Sequence, residues 1–200
     1  MIIYPLIDKW YRILDKEMVN KTLQVFHIST PYILTVATQE PRKNLVKTIE
    51  AFISLKKKGK IPFHKLLLVG SRGWKSNYLQ GLIDSNKDIV SMGYMDDDKM
   101  PYLYNGADLF VFPSKYEGFG MPPREALLCG TGVVVSDIPE LREATFGLGI
   151  YIDPENRDQF EQAIIEGIKN KKVSKGLENS YYNKETEQLS VWIKNTAHIA

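Results

Sequence analysis

The sequence predicts a doubly wound α/β fold built on a mostly parallel, six-stranded sheet. Three observations carry the prediction. Short β-rich runs recur along the chain, most are apolar without a polar alternation, and each is followed by a stretch of helical spacing. Unbroken apolar strands are buried on both faces, and regular strand–helix alternation makes the crossovers parallel.

The first strand is read at Tyr32–Thr38 (YILTVAT), followed by a helix over Lys43–Lys57 with Leu45, Val46, Ile49, Phe52 and Ile53 on one side. Lys65–Gly70 (KLLLVG) is the second strand, with a helix from about Trp74 to Asp84. Asp88–Gly93 is the third, followed by a helix over Asp97–Asn105. Asp108–Pro113 (DLFVFP) precedes a helix beginning near Pro122, and Gly132–Asp137 (GVVVSD) precedes a short helix from about Pro139. Gly149–Asp153 completes the sheet before a helix over Arg157–Lys169. Residues 1–30 read as an irregular lead-in segment and 31–170 as the ligand-binding domain. Residues 171–200 read as a helical tail whose Leu189, Trp192, Ile193 and Ile199 need a surface to bury against. No internal repeat is visible.

Composition narrows the class of partner. A hydrophobic fraction of 44%, a charged fraction of 25% and a net charge of +2 are ordinary for a globular protein and give no footing for nucleic acid. The basic runs Lys56–Lys60 and Lys169–Lys175 follow amphipathic stretches and read as solvated helix ends. Cys129 is the only cysteine, which rules out an internal disulfide and a cysteine zinc site and suits a reducing cytoplasm. No apolar run approaches the length of a membrane span, and the opening MIIYPLIDKWYRIL does not read as a signal peptide.

In an open parallel sheet, ligands bind beyond the carboxyl ends of the strands. Those ends carry Thr38, Gly70 with Arg72, Gly93 with Tyr94, and the segment Ser114–Gly120. The segment YEGFGMPPREALLCG places Glu117 and Glu125 with seven residues between them. Gly118 and Gly120 let backbone approach a ligand. Pro122 and Pro123 have no N–H, so the free amide donors fall on Gly118, Phe119, Gly120 and Met121. Glu117 in the loop and Glu125, expected in the first helical turn, are placed to accept from two sets of hydroxyls. Carboxylates for hydroxyls beside amides for phosphate suit a sugar nucleotide. Plainer readings stand beside this one: Glu125 as a complement to its helix dipole, Arg42 and Lys43 as solvated cations, Gly70 and Gly73 as turn residues, His64 as structural.

Taken together, PYILTVATQEPRKNL, LLLVGSRGW, the run from VSMGYMDDD to SDIPEL, and YIDPEN resemble the C-terminal, donor-binding half of retaining GT-B glycosyltransferases of group 1, over about residues 30–170. That family's domain is a Rossmann-like half of a two-domain fold. The resemblance implies that Glu117 holds donor-sugar hydroxyls, Glu125 holds the ribose diol, and Lys43 with Arg42 binds the diphosphate. Residues near Gly70 and Gly93-Tyr94-Met95 would line the base pocket. Thr38 stands where many members carry arginine, and Ala37 where glycine is common. The implied reaction moves a hexose from a nucleoside-diphosphate sugar to a hydroxyl acceptor with retention, in polysaccharide biosynthesis or a related pathway, with no metal or other cofactor. The acceptor site would lie in a separate N-terminal domain or chain. Localisation is expected to be cytoplasmic, with peripheral contact at the inner membrane left open. A nucleotide-sugar-binding module or truncated remnant without turnover is the alternative reading; an epimerase or phosphorylase on the same fold finds no feature in its favour, and no pyridoxal-binding lysine context is identified.

Overall fold

The computed structural model describes residues 7–71 and 77–170. Arg72 and Trp74 therefore lie outside the described residues, as does the tail over 171–200. The strands are β1 (Tyr32–Val36), β2 (Lys65–Val69), β3 (Ile89–Gly93), β4 (Leu109–Phe112), β5 (Val133–Ser136) and β6 (Ile150–Ile152). They form one sheet in the order β3-β2-β1-β4-β5-β6, and every neighbouring pair is parallel. The helices are α1 (Lys16–Val25), α2 (Leu45–Lys57), α3 (Asn77–Asp84), α4 (Met100–Gly106), α5 (Met121–Leu128), α6 (Pro139–Ala144) and α7 (Arg157–Asn170).

Alternation along the central strands divides the core into two layers. Tyr32 and Leu34 of β1 and Phe110 and Phe112 of β4 face α1, α4 and α5, against Leu23, Leu103, Tyr104 and Leu127. Ile33, Leu109, Val111 and Val134 face the opposite way, onto Phe52, Leu79, Phe160 and Ile164 from α2, α3 and α7. Each fully buried Leu, Ile, Val or Phe contributes about 1.5–3 kcal/mol relative to exposure. Because both faces of β1, β2, β4 and β5 are covered, these four strands carry no polar alternation, whereas the edge strand β3 exposes Val90 and Ser91. Cys129 belongs to the first layer at 3% exposure, as a small core residue.

Four element boundaries differ from the sequence reading. The expected irregular segment over 1–30 contains α1, capped by the Asp15 carboxylate, which accepts from Glu17 N and Met18 N at 2.9 and 3.0 Å. Its only buried apolar residues are Val19 and Leu23, too few to stand out as periodicity. The helix expected from Lys43 begins at Leu45, because Asn44 adopts φ 55° after a 3-10 turn over Pro41–Lys43. That break leaves Arg42 and Lys43 in the loop after β1, outside the α-helix. The helix expected from Asp97 begins at Met100, with Pro101 in its first turn, where the missing N–H costs nothing. In the helix after β4, which starts at Met121, Glu125 falls beyond the first turn.

The strand order fixes the location of the site. From β1 the chain winds outward through β2 and β3; from β4 it winds the other way through β5 and β6. The loops leaving β1 and β4 therefore flank the topological switch point, the place where open parallel sheets bind ligands.

Candidate functional site

Two polar centres stand beyond the carboxyl ends of the strands. The first bridges the loops leaving β1 and β4. Lys43 Nζ, from the loop after β1, donates to Glu117 Oε1 at 2.6 Å, and Arg42 Nη1 reaches Glu117 Oε2 at 3.3 Å. Arg42 Nε donates to Glu40 Oε2 at 2.8 Å, and its guanidinium lies 5.8 Å from the Tyr116 ring centroid. A main-chain bond, Lys115 N to Arg42 O at 2.8 Å, ties the same two loops. The side chains of Glu117 and Lys43 are only 8% and 11% exposed, so this pair is screened less than a surface one. Burial works against the Arg42 cation, but the Glu40 and Glu117 carboxylates outweigh it and raise its pKa.

The glycines of the loop serve different ends. A Cβ at Gly118 would meet nothing within 4 Å, so the space above that residue is open. A Cβ at Gly120 would sit 2.5 Å from Leu141 Cδ2, and its φ of 95° is left-handed; this glycine lets α5 start against α6.

The second centre is Glu125, the carboxylate on α5. Tyr104, fully buried on α4, donates its hydroxyl to Glu125 Oε2 at 2.8 Å. Burial raises the carboxyl from its ordinary 4.5 to about 7; the Tyr104 hydrogen bond opposes that rise and the charge of Asp97 adds to it. Burial, and then Glu125, push the Tyr104 hydroxyl well above its usual range, so it stays a donor. A carboxyl held near neutrality is available to hydrogen-bond partners as an acid or as a carboxylate. Its place in the second turn and its bond to Tyr104 go beyond what complementing a helix dipole requires.

Gly70 and Gly93 meet at the ends of β2 and β3, where Gly70 N donates to Gly93 O at 2.8 Å. A cleft of about 710 Å³ borders both glycines together with Gln39 and Met92, and runs along the free edge of β3. Its lining does not include Lys43, Glu117 or Glu125. Tyr94 is 70% exposed, Met95 packs at the margin of the first core layer, and Thr38 is exposed. The structure thus brings Arg42, Lys43 and Glu117 into contact, sets Glu125 on Tyr104, and leaves Thr38 and Tyr94 at the rim. Among the described residues, no three His, Cys, Asp or Glu side chains converge as a metal site requires, and no helix is long and apolar enough to cross a membrane.

Three participants escape the sequence reading. Tyr104 lies in PYLYNGA and reads as core; its hydroxyl has a role only once α4 and α5 are packed together. Glu40 looks like a loop carboxylate until Arg42 is found on it. Arg124, at 1% exposure, carries no sequence signal of burial, since a charged Arg-Glu pair after Pro-Pro suggests a solvated helix start.

A protonated Glu125 in the ligand-free fold has a measurable consequence. Its folded pKa lies above the unfolded value, so the stability it contributes is present below about pH 4.5 and is lost as pH rises through about 7. The ligand-free chain is expected to lose about 2–3 kcal/mol from this group between pH 5 and pH 8. Urea unfolding at several pH values checks it: Glu125→Gln is expected to flatten that slope relative to the parent chain.

The comparisons with known proteins agree with this architecture. The family model for glycosyl transferases group 1 matches residues 24–185. The O-antigen chain mannosyltransferase B of Escherichia coli is 36% identical over 140 residues, covering 68% of this chain and 36% of that enzyme. The chain thus spans well under half the length of this curated relative. Among solved structures, Anabaena Alr3699/HepE in complex with UDP and glucose superposes with a TM-score of 0.67 at 20% identity, over 83% of this chain and 46% of that one. The C-terminal domain of a group 1 family glycosyltransferase (LpcC) from Francisella tularensis gives 0.67 at 19% identity, over 82% of this chain and 88% of that domain. The six-stranded parallel sheet is the Rossmann-like sheet of GT-B glycosyltransferases, and the chain belongs to the glycosyl transferases group 1 family.

Proposed function

We propose that this chain is the donor-binding half of a glycosyltransferase that moves a hexose from a nucleoside-diphosphate sugar to a hydroxyl acceptor with retention. The observation that carries the reading is the Lys43–Glu117–Arg42 cluster at the switch between β1 and β4, with open space at Gly118 beside it. Two cations there match a diphosphate, and the carboxylate they flank matches sugar hydroxyls. Glu125 is the acceptor for the ribose diol, with Tyr104 holding one of its oxygens. The neighbour crystallised with UDP and glucose supports a nucleotide and a sugar as ligands, and the mannosyltransferase relative supports a hexose.

In the reaction we propose, the acceptor oxygen forms the new bond to the anomeric carbon on the face from which the diphosphate leaves. The bond from that carbon to the diphosphate oxygen breaks, and the acceptor proton passes to a phosphate oxygen. Lys43 and Arg42 stabilise the charge that grows on the leaving group; a single preorganised donor in such a role is worth about 3–4 kcal/mol. These two cations take the part a metal plays elsewhere, so no metal or other cofactor enters the proposal. The acceptor is assigned to a second domain or chain, a reading supported by solved relatives about twice the length of this chain. A cytoplasmic site of action with peripheral membrane contact remains part of the proposal.

Thermal unfolding of the chain against UDP, GDP, ADP, dTDP and their sugar conjugates tests the donor assignment. Ligand at a hundred times its dissociation constant adds about 2.7 kcal/mol, a midpoint rise on the order of 5–10 °C for this size. A rise with one base, lost in Lys43→Ala, is the expected result; no rise with any nucleotide overturns the donor-binding assignment. Because an ionised Glu125 is the better acceptor for a diol, affinity for that nucleotide is expected to fall roughly tenfold from pH 8 to pH 6. The fall is expected to be absent in Glu125→Gln.

A further inference from the structure

The loop that bears Glu117 is pinned from behind by a buried cation. Arg124 is 1% exposed, and its guanidinium lies between two aromatic rings, 4.3 Å from the centroid of Phe119 and 4.4 Å from that of Phe146. Its Nε donates to Ala144 O at 2.9 Å and its Nη2 to Glu143 O at 3.1 Å, the last carbonyls of α6. Glu143 O also accepts from Phe146 N at 3.2 Å, so Arg124 gathers the turn that closes α6, and a planar guanidinium can bond both carbonyls while stacking on both rings. Phe119 stands two residues from Glu117 and beside Gly118 and Gly120. Phe146 holds φ 54°, a backbone region unfavourable to an aromatic residue, and its ring is on Arg124. A buried cation and a left-handed phenylalanine are both costly, and both converge on the one loop whose position decides where Glu117 and its neighbouring amides sit.

We propose that Arg124 is a positioning residue: the Phe119–Arg124–Phe146 stack, anchored on the end of α6, sets the geometry with which the Glu117–Gly120 loop receives the sugar diphosphate. This deepens the donor reading above and rests on it for the ligand, but the stack itself can be tested without one. The same stack makes α6 part of the donor site, although α6 contributes no residue to the ligand contacts assigned above.

The test compares the parent chain with Arg124→Met and Phe146→Gly by amide hydrogen exchange, and then by binding of a nucleoside monophosphate and the corresponding diphosphate sugar. Phe146→Gly removes one ring where glycine is the better backbone residue, so the fold survives if Arg124→Met does not. Exchange in the loop, read at the Lys115 amide bonded to Arg42 O, is expected to rise at least tenfold in both variants, with β4 and α7 unchanged. Diphosphate-sugar affinity is expected to fall at least tenfold while monophosphate affinity moves less than twofold, since base and ribose are held elsewhere. Unchanged loop exchange in Phe146→Gly overturns the proposal, as does a rise spread equally over β4 and α7. Should the parent chain bind no nucleotide, the donor reading fails, and the exchange result alone decides the role of Arg124.

Discussion

Lys43→Ala is expected to lower affinity for the nucleoside-diphosphate sugar about 100-fold and to destabilise the ligand-free chain by about 2–3 kcal/mol. The two effects have different origins. Binding falls because the side chain assigned to the leaving diphosphate is gone. Stability falls because Glu117, 8% exposed in its side chain, keeps only the longer 3.3 Å contact with Arg42. Removing one member of a buried pair leaves the other desolvated and undercompensated. The double variant Lys43→Met with Glu117→Gln separates them, since it removes both charges and retains the volume. Unfolding by urea is expected to return to within about 1 kcal/mol of the parent. Calorimetry is expected to show nucleotide-sugar binding still lost. Recovery of binding in the double variant would remove both residues from the donor site.

The largest loss of stability is expected from Gly70→Ala, at about 4 kcal/mol or more. The residue holds φ 137°, and a Cβ there would lie 2.2 Å from Ala37 O and 2.6 Å from Ala37 C. Both are main-chain atoms of the residue following β1, which is itself hydrogen-bonded to Val69 O through its amide at 2.8 Å. No rotamer change relieves such a clash; the ends of β1 and β2 must separate. Against a total of about 5–15 kcal/mol for a domain, the variant is expected to be largely unfolded at 37 °C by circular dichroism. A soluble, cooperative Gly70→Ala chain with an unchanged midpoint would contradict the close approach of the two strand ends. By contrast, Gly118 has open space around it, so its glycine is not explained by packing among the described residues.

The sheet was legible because its signal is redundant. Each strand is an apolar run read without knowledge of its neighbours, and six such runs separated by helical spacing admit few topologies. The weakest element, α1, was missed for the converse reason: two buried side chains and one capping aspartate make a helix only when α4 is there to receive it. Local backbone chemistry also overrode periodicity. Asn44 sits inside a good helical pattern, yet its left-handed conformation ends the 3-10 turn and leaves Arg42 and Lys43 in the loop beside Glu117. The gathering of Arg42, Lys43 and Glu117 at one edge followed from topology, but their mutual contact did not. Side chains separated by 74 positions in the chain are paired only by the adjacency of β1 and β4. Tyr104 and Arg124 were beyond reach because each acts through a partner on another helix, and neither phenol nor guanidinium announces that partner.

The adjacency of β1 and β4 has a kinetic corollary. It joins the two winding directions through a ladder with only two pairs in register, Ile33 with Leu109 and Leu34 with Phe110, whereas β1 and β2 register five. Closing that seam demands one long loop, so the Lys43–Glu117 pair is expected to form late in folding, after each half of the sheet has gained its local contacts. A ligand that grips both halves at once therefore has little to hold before the seam forms. Such a ligand is expected to act as a clasp on the finished molecule, lengthening the life of the folded state while leaving the speed of its formation unaltered.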